Sequence, residues 1–334
     1  MRKMQLTQKK SRRGDLLTAA AVAMLLAVMA ALLYTGSLTR QVTNMLIPTA
    51  VYIVMAVSLN LVVGLLGELS LGHAGFMSVG LFSGCLVAIA LTNTALPLMV
   101  RLPVSMLAGG LTAAVFGLLV GLPTLRLRGD YLAIVTLACG EIIKNIITNL
   151  RVTGGALGLN TTAIYAGAKE LLPYGAALVL LTVAVMLNLK RSKYGRAIMA
   201  IRDNRIAAES VGLSVTRYKL AVFVIAAFFA GCAGVLYGHS LANIKAAAFD
   251  YNMSIEILVI VVLGGMGSVP GSVVSAIVLT VLPEALREVA DYRMLVYAVV
   301  LILVMQATNN PAMKRFFGAA CKSLTPKRKE RAAL

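Results

Sequence analysis

Acidic residues, histidines and cysteines are scarce in this chain. Only 13 Asp and Glu and 2 His occur in 334 residues, and Trp is absent. The four cysteines, at positions 85, 139, 232 and 321, lie far apart, so the sequence indicates neither a disulfide framework nor a metal knuckle. The motifs G-x-x-x-x-G-K-[ST], H-E-x-x-H and G-x-S-x-G are also missing. Their absence argues against a nucleotide-binding loop, a zinc hydrolase or a serine hydrolase.

Most of the chain is apolar. Hydrophobic residues make up 59% of it and charged residues 13%, and runs of about 20 apolar residues are long enough to cross a bilayer as a helix. The sequence therefore predicts an all-α, polytopic integral membrane helical bundle with about 8–10 transmembrane helices. Seven segments are firm, and three are short for a full crossing. The firm segments are 16–34, 44–64, 76–91, 104–122, 131–150, 172–187 and 220–237, and the short ones are 255–266, 269–282 and 294–305.

The positive charges are confined to a few stretches between these segments. With ten segments and both termini in the cytoplasm, 23 of the 31 Lys and Arg lie on the inner side and 7 on the outer side, with Lys144 inside a span. This bias is the pattern that orients membrane helices. The predicted organisation is an inner tail at 1–15, a membrane domain at 16–307 with a cytoplasmic loop at 190–219, and a basic inner tail at 308–334. No basic stripe with interleaved aromatics accompanies the charge, so we expect no nucleic-acid partner.

A group of helix-breaking residues falls between two of the short segments. A single span over 255–282 would place the seven cations of the last tail outside. We therefore favour a broken pair of helices, although one span or a re-entrant segment remains an alternative, and irregular backbone there must be shielded by protein or face a water-filled cavity. The helix-breaking residues are Gly264, Gly265, Gly267 and Pro270.

Two other features carry specific expectations. In the basic loop, Asp203 or Asn204 suits a helix N-cap and Gly212 suits the position after a helix end, which predicts one or two short helices along the membrane face. In segment 131–150, Glu141 and Lys144 are one helical turn apart. They form either a polar lining of a translocation path or an internal ion pair. Five glycines after the second segment, at 64, 67, 72, 75 and 80, are predicted to be turn residues.

Several long blocks resemble one family. The stretches are SLNLVVGLLGELSLGHAGFMSVG at 58–80, LRLRGDYLAIVTLACGEIIKNI at 125–146, TGGALGLN at 153–160, GRAIMAIRDNRIAAESVGLSVTRYKL at 195–220 and VVLGGMGSVPGSVVSAIVLTVLPEALRE at 261–288. They are similar to the permease subunits of branched-chain amino acid ABC importers of the LivM type, in collinear order over 44–305. The end of the chain, QATNNPAMKRFFG, departs from the usual aromatic-Arg-Pro-x-Gly ending of that family.

The resemblance implies a function and a set of partners. The expected protein is a multi-pass subunit of the bacterial inner membrane that imports Leu, Ile or Val, is not itself an enzyme and has no cofactor of its own. ATP would be used by two cytoplasmic ABC ATPase subunits. The other expected partners are a second, homologous permease, a periplasmic or extracytoplasmic substrate-binding protein and membrane lipid. Residues expected to couple to the ATPases are Gly195, Arg196, Arg202, Arg205, Ala207, Ala208 and Gly212, of which the two alanines and Gly212 match the family's coupling loop.

Two alternatives remain open. A permease for urea, short amides or another small metabolite would look alike in these blocks. A self-contained, ion-coupled secondary transporter is the rival from another class, and it needs carboxylates in broken helices. Against that rival, the only Asp or Glu in the predicted spans are Glu141 and Glu256.

Overall fold

Helices long and apolar enough to cross a membrane dominate the fold. The computed structural model describes residues 19–31, 33, 35, 39–92, 97–127, 129–285 and 302. Among these residues, seven helical stretches have the length and hydropathy of a membrane span, and two apolar helices are shorter. The helices are α1 Ala19–Ala31, α2 Arg40–Asn60, α3 His73–Thr92, α4 Leu98–Thr124, α5 Asp130–Asn149, α6 Ala168–Arg191, α7 Lys193–Asp203, α8 Arg205–Ser210, α9 Val215–His239, α10 Tyr251–Gly264 and α11 Val269–Ala285.

The chain divides into two compact units, residues 1–281 and 282–334. The described part of the second unit consists of residues 282–285, which end α11, and residue 302. Every contact considered below lies within the first unit. Helix α2 occupies the interior of this unit, and 94% of its most apolar window is buried. It continues directly into a π-helix, Leu61–Leu66.

Helices α3, α4 and α9 pack against one another through glycines. A Cβ on Gly80 would overlap the backbone of Gly231, and a Cβ on Gly231 would press on the carbonyl of Gly109. Small residues at such positions let helix backbones approach closely, which is how membrane helices gain contact without a hydrophobic driving force. The three helices therefore form a tightly packed layer beside α2.

The two ends of the bundle are built differently. At one end the loops 150–167 and 240–250 join through a short antiparallel pair, β1 Leu159–Asn160 and β2 Asn243–Ile244. At the other end the segments 64–68, 190–219 and 264–268 come together, and we call this the basic end. Helices that run in alternating directions bring these distant segments to one place.

The expected helical, multi-pass fold is confirmed, with differences in detail. The glycines do interrupt 255–282: α10 stops at Gly264 and α11 starts at Val269, so a single continuous span is excluded. The prediction of turn roles was wrong for Gly64, which lies buried in the π-helix, and for Gly75 and Gly80, which lie buried inside α3; all three permit close contacts. The predicted segment 294–305 lies outside the described residues apart from position 302.

Candidate functional site

Two short helices cover the basic end. The hydroxyl of Ser192 accepts a hydrogen bond from the backbone N–H of Gly195 at 3.0 Å and so caps the start of α7. Asn204 ends α7 and caps α8, because its Oδ1 accepts from the N–H of Ala207 at 3.0 Å. Of the two predicted caps, Asn204 thus holds this position. We call α7 and α8 together with Val211, which ends α8, the platform (residues 193–211).

The end of α8 shows why a glycine follows it. Gly212 has φ +85°, a left-handed conformation that side chains with a Cβ rarely adopt. Its N–H donates to the carbonyl of Glu209 at 3.0 Å, and the N–H of Leu213 donates to the carbonyl of Ala208 at 3.1 Å. These two bonds form a Schellman motif. It turns the chain back towards α9.

The platform has a buried face and an exposed face. Ala208 is only 5% exposed and packs in a small cluster, so it supports α8 from beneath and is not available at the surface. Ala207, in contrast, is exposed. Ile206 and Val211 beside it are 80% and 81% exposed. The buried cluster consists of Ile201, Ala208 and Val215, with Leu213 and Tyr218 packed against it.

Ile206 and Val211 were missed in the sequence analysis, which considered only small and basic residues of this loop. The available signal was the presence of two large apolar residues in an otherwise polar stretch. Exposed apolar side chains on a polar helix indicate a surface that a protein partner covers.

The three arginines expected to face a partner do not behave alike. Arg196 donates to the carbonyl of Arg191 at 2.9 Å, and Arg205 donates to the carboxylate of Glu209 at 2.8 Å, both on the exposed side. Arg202 is also exposed, over 41% of its side chain, but its Nη1 additionally donates to the carbonyl of Gly64 at 3.0 Å. Arg202 is therefore the arginine that ties the platform to a membrane helix.

Beneath the platform lies a polar contact between α2 and the turn from α10 to α11. Asn60 is fully buried, and its amide nitrogen donates to Ser272 Oγ at 2.8 Å and to the carbonyl of Ser268 at 3.2 Å. Its Oδ1 accepts from the N–H of Gly267 at 2.7 Å. Lys190 donates to the carbonyl of the same glycine at 2.9 Å. The helix-breaking residues thus form a turn whose backbone polar groups are held by side chains.

A buried ion pair also stabilises the basic end. Lys219, near the start of α9, pairs with Glu68, and their side chains are only 6% and 14% exposed. Burying two charges is tolerated when each neutralises the other. Lys219 was counted among the cations of the loop, whereas the structure shows that it anchors α9 to the segment after α2.

Glu141 and Lys144 form an ion pair within one turn of α5. Glu141 also accepts a hydrogen bond from the backbone N–H of Tyr251, the first residue of α10, at 2.9 Å. The internal ion pair expected as one reading is therefore present, and it joins α5 to α10. Lining of a translocation path by these two residues stays a prediction.

A cavity of about 250 Å³ lies near the start of α10. Glu256 lines it, and the hydroxyl of Tyr52 donates to this carboxylate at 3.3 Å. Carboxylates within membrane spans are costly and usually face a cavity or the bundle interior. The remaining lining residues are Tyr237, Ala248, Phe249, Asp250, Asn252 and Met253.

Over residues 41–305 the chain matches the family described as "Branched-chain amino acid transport system / permease component". The chain belongs to this family. It is 36% identical over 296 residues to the high-affinity branched-chain amino acid transport system permease protein LivM of Salmonella typhimurium, and 37% identical over 290 residues to LivM of Escherichia coli. In both comparisons the match covers 77% of this chain and 66% of the relative, so the chain spans slightly less than two thirds of each.

More distant relatives carry other names. The ribose import permease protein RbsC of Haemophilus influenzae is 25% identical over 82% of this chain and 86% of that protein. The LivH permease of Salmonella typhimurium is 31% identical over 126 residues, which is 37% of this chain and 40% of LivH. No solved structure matches the chain.

The chain exposes a broad apolar surface on α4 and α5. Only 33% and 28% of their most apolar windows are buried, against 94% for α2. Leu107, Leu111 and Leu119 are among the exposed side chains on α4. Such surfaces are stable where they contact lipid or another membrane helix. Within the described ranges, no three His, Cys, Asp or Glu side chains gather into a metal site.

Proposed function

We propose that this chain is an inner-membrane permease subunit of an ABC importer for the branched-chain amino acids Leu, Ile and Val. The observation that carries this proposal is the family match over residues 41–305, together with identity of 36% and 37% to two LivM proteins. In this function a second, homologous permease completes the translocation path. Two cytoplasmic ATPases drive it, and an extracytoplasmic binding protein delivers the substrate.

The platform is the proposed docking site for an ATPase subunit. Its exposed face combines apolar Ile206 and Val211 with Arg196 and Arg205, a mixture suited to a groove on a soluble protein. With the charge bias of the sequence, the basic end lies in the cytoplasm. Alternating access then follows from movement of the platform as the ATPases bind and hydrolyse ATP.

The proposed path for the substrate passes the cavity at Glu256. An amino acid carries an ammonium group, which a carboxylate in a low-dielectric site attracts, and the apolar lining side chains Phe249 and Met253 suit an aliphatic substrate. Glu256→Gln is expected to slow leucine uptake while leaving assembly of the complex unchanged. Uptake at the parental rate would remove Glu256 from the path.

Reconstitution in liposomes tests the function. The chain alone is expected to show neither ATP hydrolysis nor gradient-driven uptake of leucine, because it has no P-loop and few carboxylates in its spans. The full complex with its binding protein is expected to take up leucine when ATP is present on the ATPase side. Ion-driven uptake by the single chain would overturn the assignment.

A second candidate differs only in substrate. The similarity to the ribose import permease RbsC shows that this architecture extends to relatives named for another cargo. Competition of leucine uptake by isoleucine, valine, ribose and urea in the same liposomes separates the candidates. Inhibition by isoleucine and valine alone supports the branched-chain assignment.

A further inference from the structure

Arg202 occupies a position that docking on a partner does not explain. Although it lies on the platform, its guanidinium donates to the carbonyl of Gly64 in the π-helix. Its aliphatic part lies over Gly67, which has φ +78°, and a Cβ on that glycine would overlap the Cγ and Cδ of Arg202. The guanidinium also bonds the carboxylate of the adjacent Asp203 at 3.0 and 3.1 Å. These contacts fix the planar group in one orientation.

Gly64 is in turn in direct contact with the turn between α10 and α11. A Cβ on Gly64 would overlap Asn60 Oδ1 and the backbone nitrogen of Gly267. The π-helix backbone and the turn therefore pack closely, with the side-chain amide of Asn60 at the contact. A displacement of Gly64 towards the turn pushes on Gly267 or disturbs its bond to Asn60.

The turn itself has the properties of a hinge. Gly265 and Gly267 have φ +86° and +82°, and the turn separates two helices. Hinges are a few residues at the ends of helices that absorb changes in φ and ψ. Gly267 is held on both sides, since Asn60 accepts from its N–H and Lys190 donates to its carbonyl. Two elements, α2 and α6, therefore bond this hinge directly, and α7 is linked to it through Gly64.

We propose that Arg202 is the positioning residue that passes movement of the platform through Gly64 to the hinge at Gly265–Gly267. This inference rests on the proposed function, since it takes the ATPases as the source of movement. Arg202 thus transmits force inside the permease, whereas Arg205, which donates to Glu209 on the same helix, serves the outer surface. The distinction assigns different consequences to the loss of two arginines that are three residues apart.

The test follows the hinge directly. Met266 lies in the turn and is 62% exposed, so Met266→Cys provides a labelling site in a chain whose Cys139 and Cys321 are replaced by Ser. The full complex is purified through a tag on this chain, and maleimide labelling is timed with and without a non-hydrolysable ATP analogue. We expect the nucleotide to change the labelling rate about fivefold, the scale of a typical coupling between sites. Arg202→Ala should abolish this change while the ATPases remain bound.

Arg205→Ala is the matched control. Complexes of this variant that retain the ATPases should keep the nucleotide-dependent change. If Arg202→Ala weakens assembly, Arg202→Lys and Lys190→Met replace it, because Arg202 contacts Gly64 and Lys190 contacts Gly267, and both changes leave the exposed face of α8 intact. A parental complex without nucleotide-dependent labelling, or an Arg202→Ala complex that keeps it, overturns the inference. A parental complex that contains no ATPase subunit overturns the proposed function as well, so the two failures are distinguishable.

Discussion

Helices α2 and α8 both carry large apolar side chains, but the chain covers those of α2 and leaves those of α8 open. Along α2 and its π-helix, 94% of the most apolar window is buried. On α8 and its end, Ile206 and Val211 are almost fully exposed, although their neighbour Ala208 is buried. The hydrophobic effect favours covering both sets. In α2 the chain itself provides the cover, whereas on α8 the chain leaves these side chains exposed, where the proposed partner would cover them.

The comparison separates three kinds of apolar residue in this permease. Those of α2 contact other parts of the chain, those of α4 and α5 are exposed along whole spans, and those of α8 are exposed on a short helix at the basic end. Hydropathy is high for the first two, so it cannot distinguish an interior helix from a peripheral one. The third kind lies among charged residues, as expected for the proposed docking surface.

The largest expected effect comes from filling the packed interior. Gly80→Val places a side chain where the backbone of Gly231 lies, and backbone atoms cannot rotate away as a flexible side chain can. Overpacking of a core costs about 1–3 kcal/mol and often more when backbone must shift. We expect the variant to disappear from the membrane fraction, measured by immunoblot and by size-exclusion chromatography of the solubilised protein.

Gly167→Val is its control. Gly167 precedes α6 with φ −71°, and nothing lies within 4 Å of the position of its Cβ. The same substitution there should leave the amount of folded chain near the parental level. Equal amounts of both variants in the membrane would contradict the packing of α3 against α9.

The next effect comes from the exposed face of the platform. Replacing Ile206 and Val211 together by Ser should leave the chain folded in the membrane, because both side chains are exposed. Binding of the ATPase subunits should fall by about tenfold or more, since central apolar anchors often contribute 2 kcal/mol or more to an interface. Co-purification and binding titrations in detergent measure the loss of ATPase binding. Tyr165→Ser, an exposed residue of the loop at the opposite end, should change neither quantity.

Much of this arrangement follows from sequence patterns. The apolar segments, the breaks at Gly264–Gly267, the cap at Asn204 and the one-turn spacing of Glu141 and Lys144 are all local features, and local features can be read from residue order. The structure shows each of them.

The remaining contacts join residues that are far apart in sequence. Arg202 and Gly64 are 138 positions apart, and Asn60 and Gly267 are 207 apart. The residues next to Arg202 in sequence do not indicate Gly64 as its partner, and those next to Asn60 do not indicate Gly267. Arg202 was therefore grouped with the other loop arginines, and Asn60 was not singled out. Gly75 and Gly80 show the same limit, because a glycine that makes a turn and a glycine that permits helix contact have identical local signals.

A smaller effect is expected at the ion pair of Glu141 and Lys144, whose side chains are partly exposed. Glu141→Gln leaves Lys144 without its charge partner, and Lys144→Met leaves Glu141 with only the Tyr251 N–H. Each single change should reduce thermal stability or uptake more than the double change, with a coupling energy of about 0.5–3 kcal/mol. Thermal melting of the purified protein, followed by intrinsic fluorescence, and uptake in liposomes are measured for the parental chain, the two single variants and the double variant. Additive effects would show that the pair contributes no coupling.

A small change in folding is also expected at Gly212, where a side chain would strain only the backbone. A Cβ there meets nothing within 4 Å, but φ is +85°, so Val carries the cost of a left-handed conformation, roughly 1–2 kcal/mol. Gly212→Val should therefore remain inserted in the membrane but distort the end of α8, move Val211, and either release the ATPases or uncouple ATP hydrolysis from uptake. Gly212→Asn should retain more coupling, because Asn tolerates this conformation better. Gly129→Val is a more severe backbone control, since Gly129 also has open space and positive φ, +58°, with ψ −133°, a conformation that side chains with a Cβ disfavour even more, but it precedes α5. If uncoupling is the same at Gly129 and Gly212, general backbone strain explains it; loss confined to Gly212 shows that α8 must keep its shape to bind its partner.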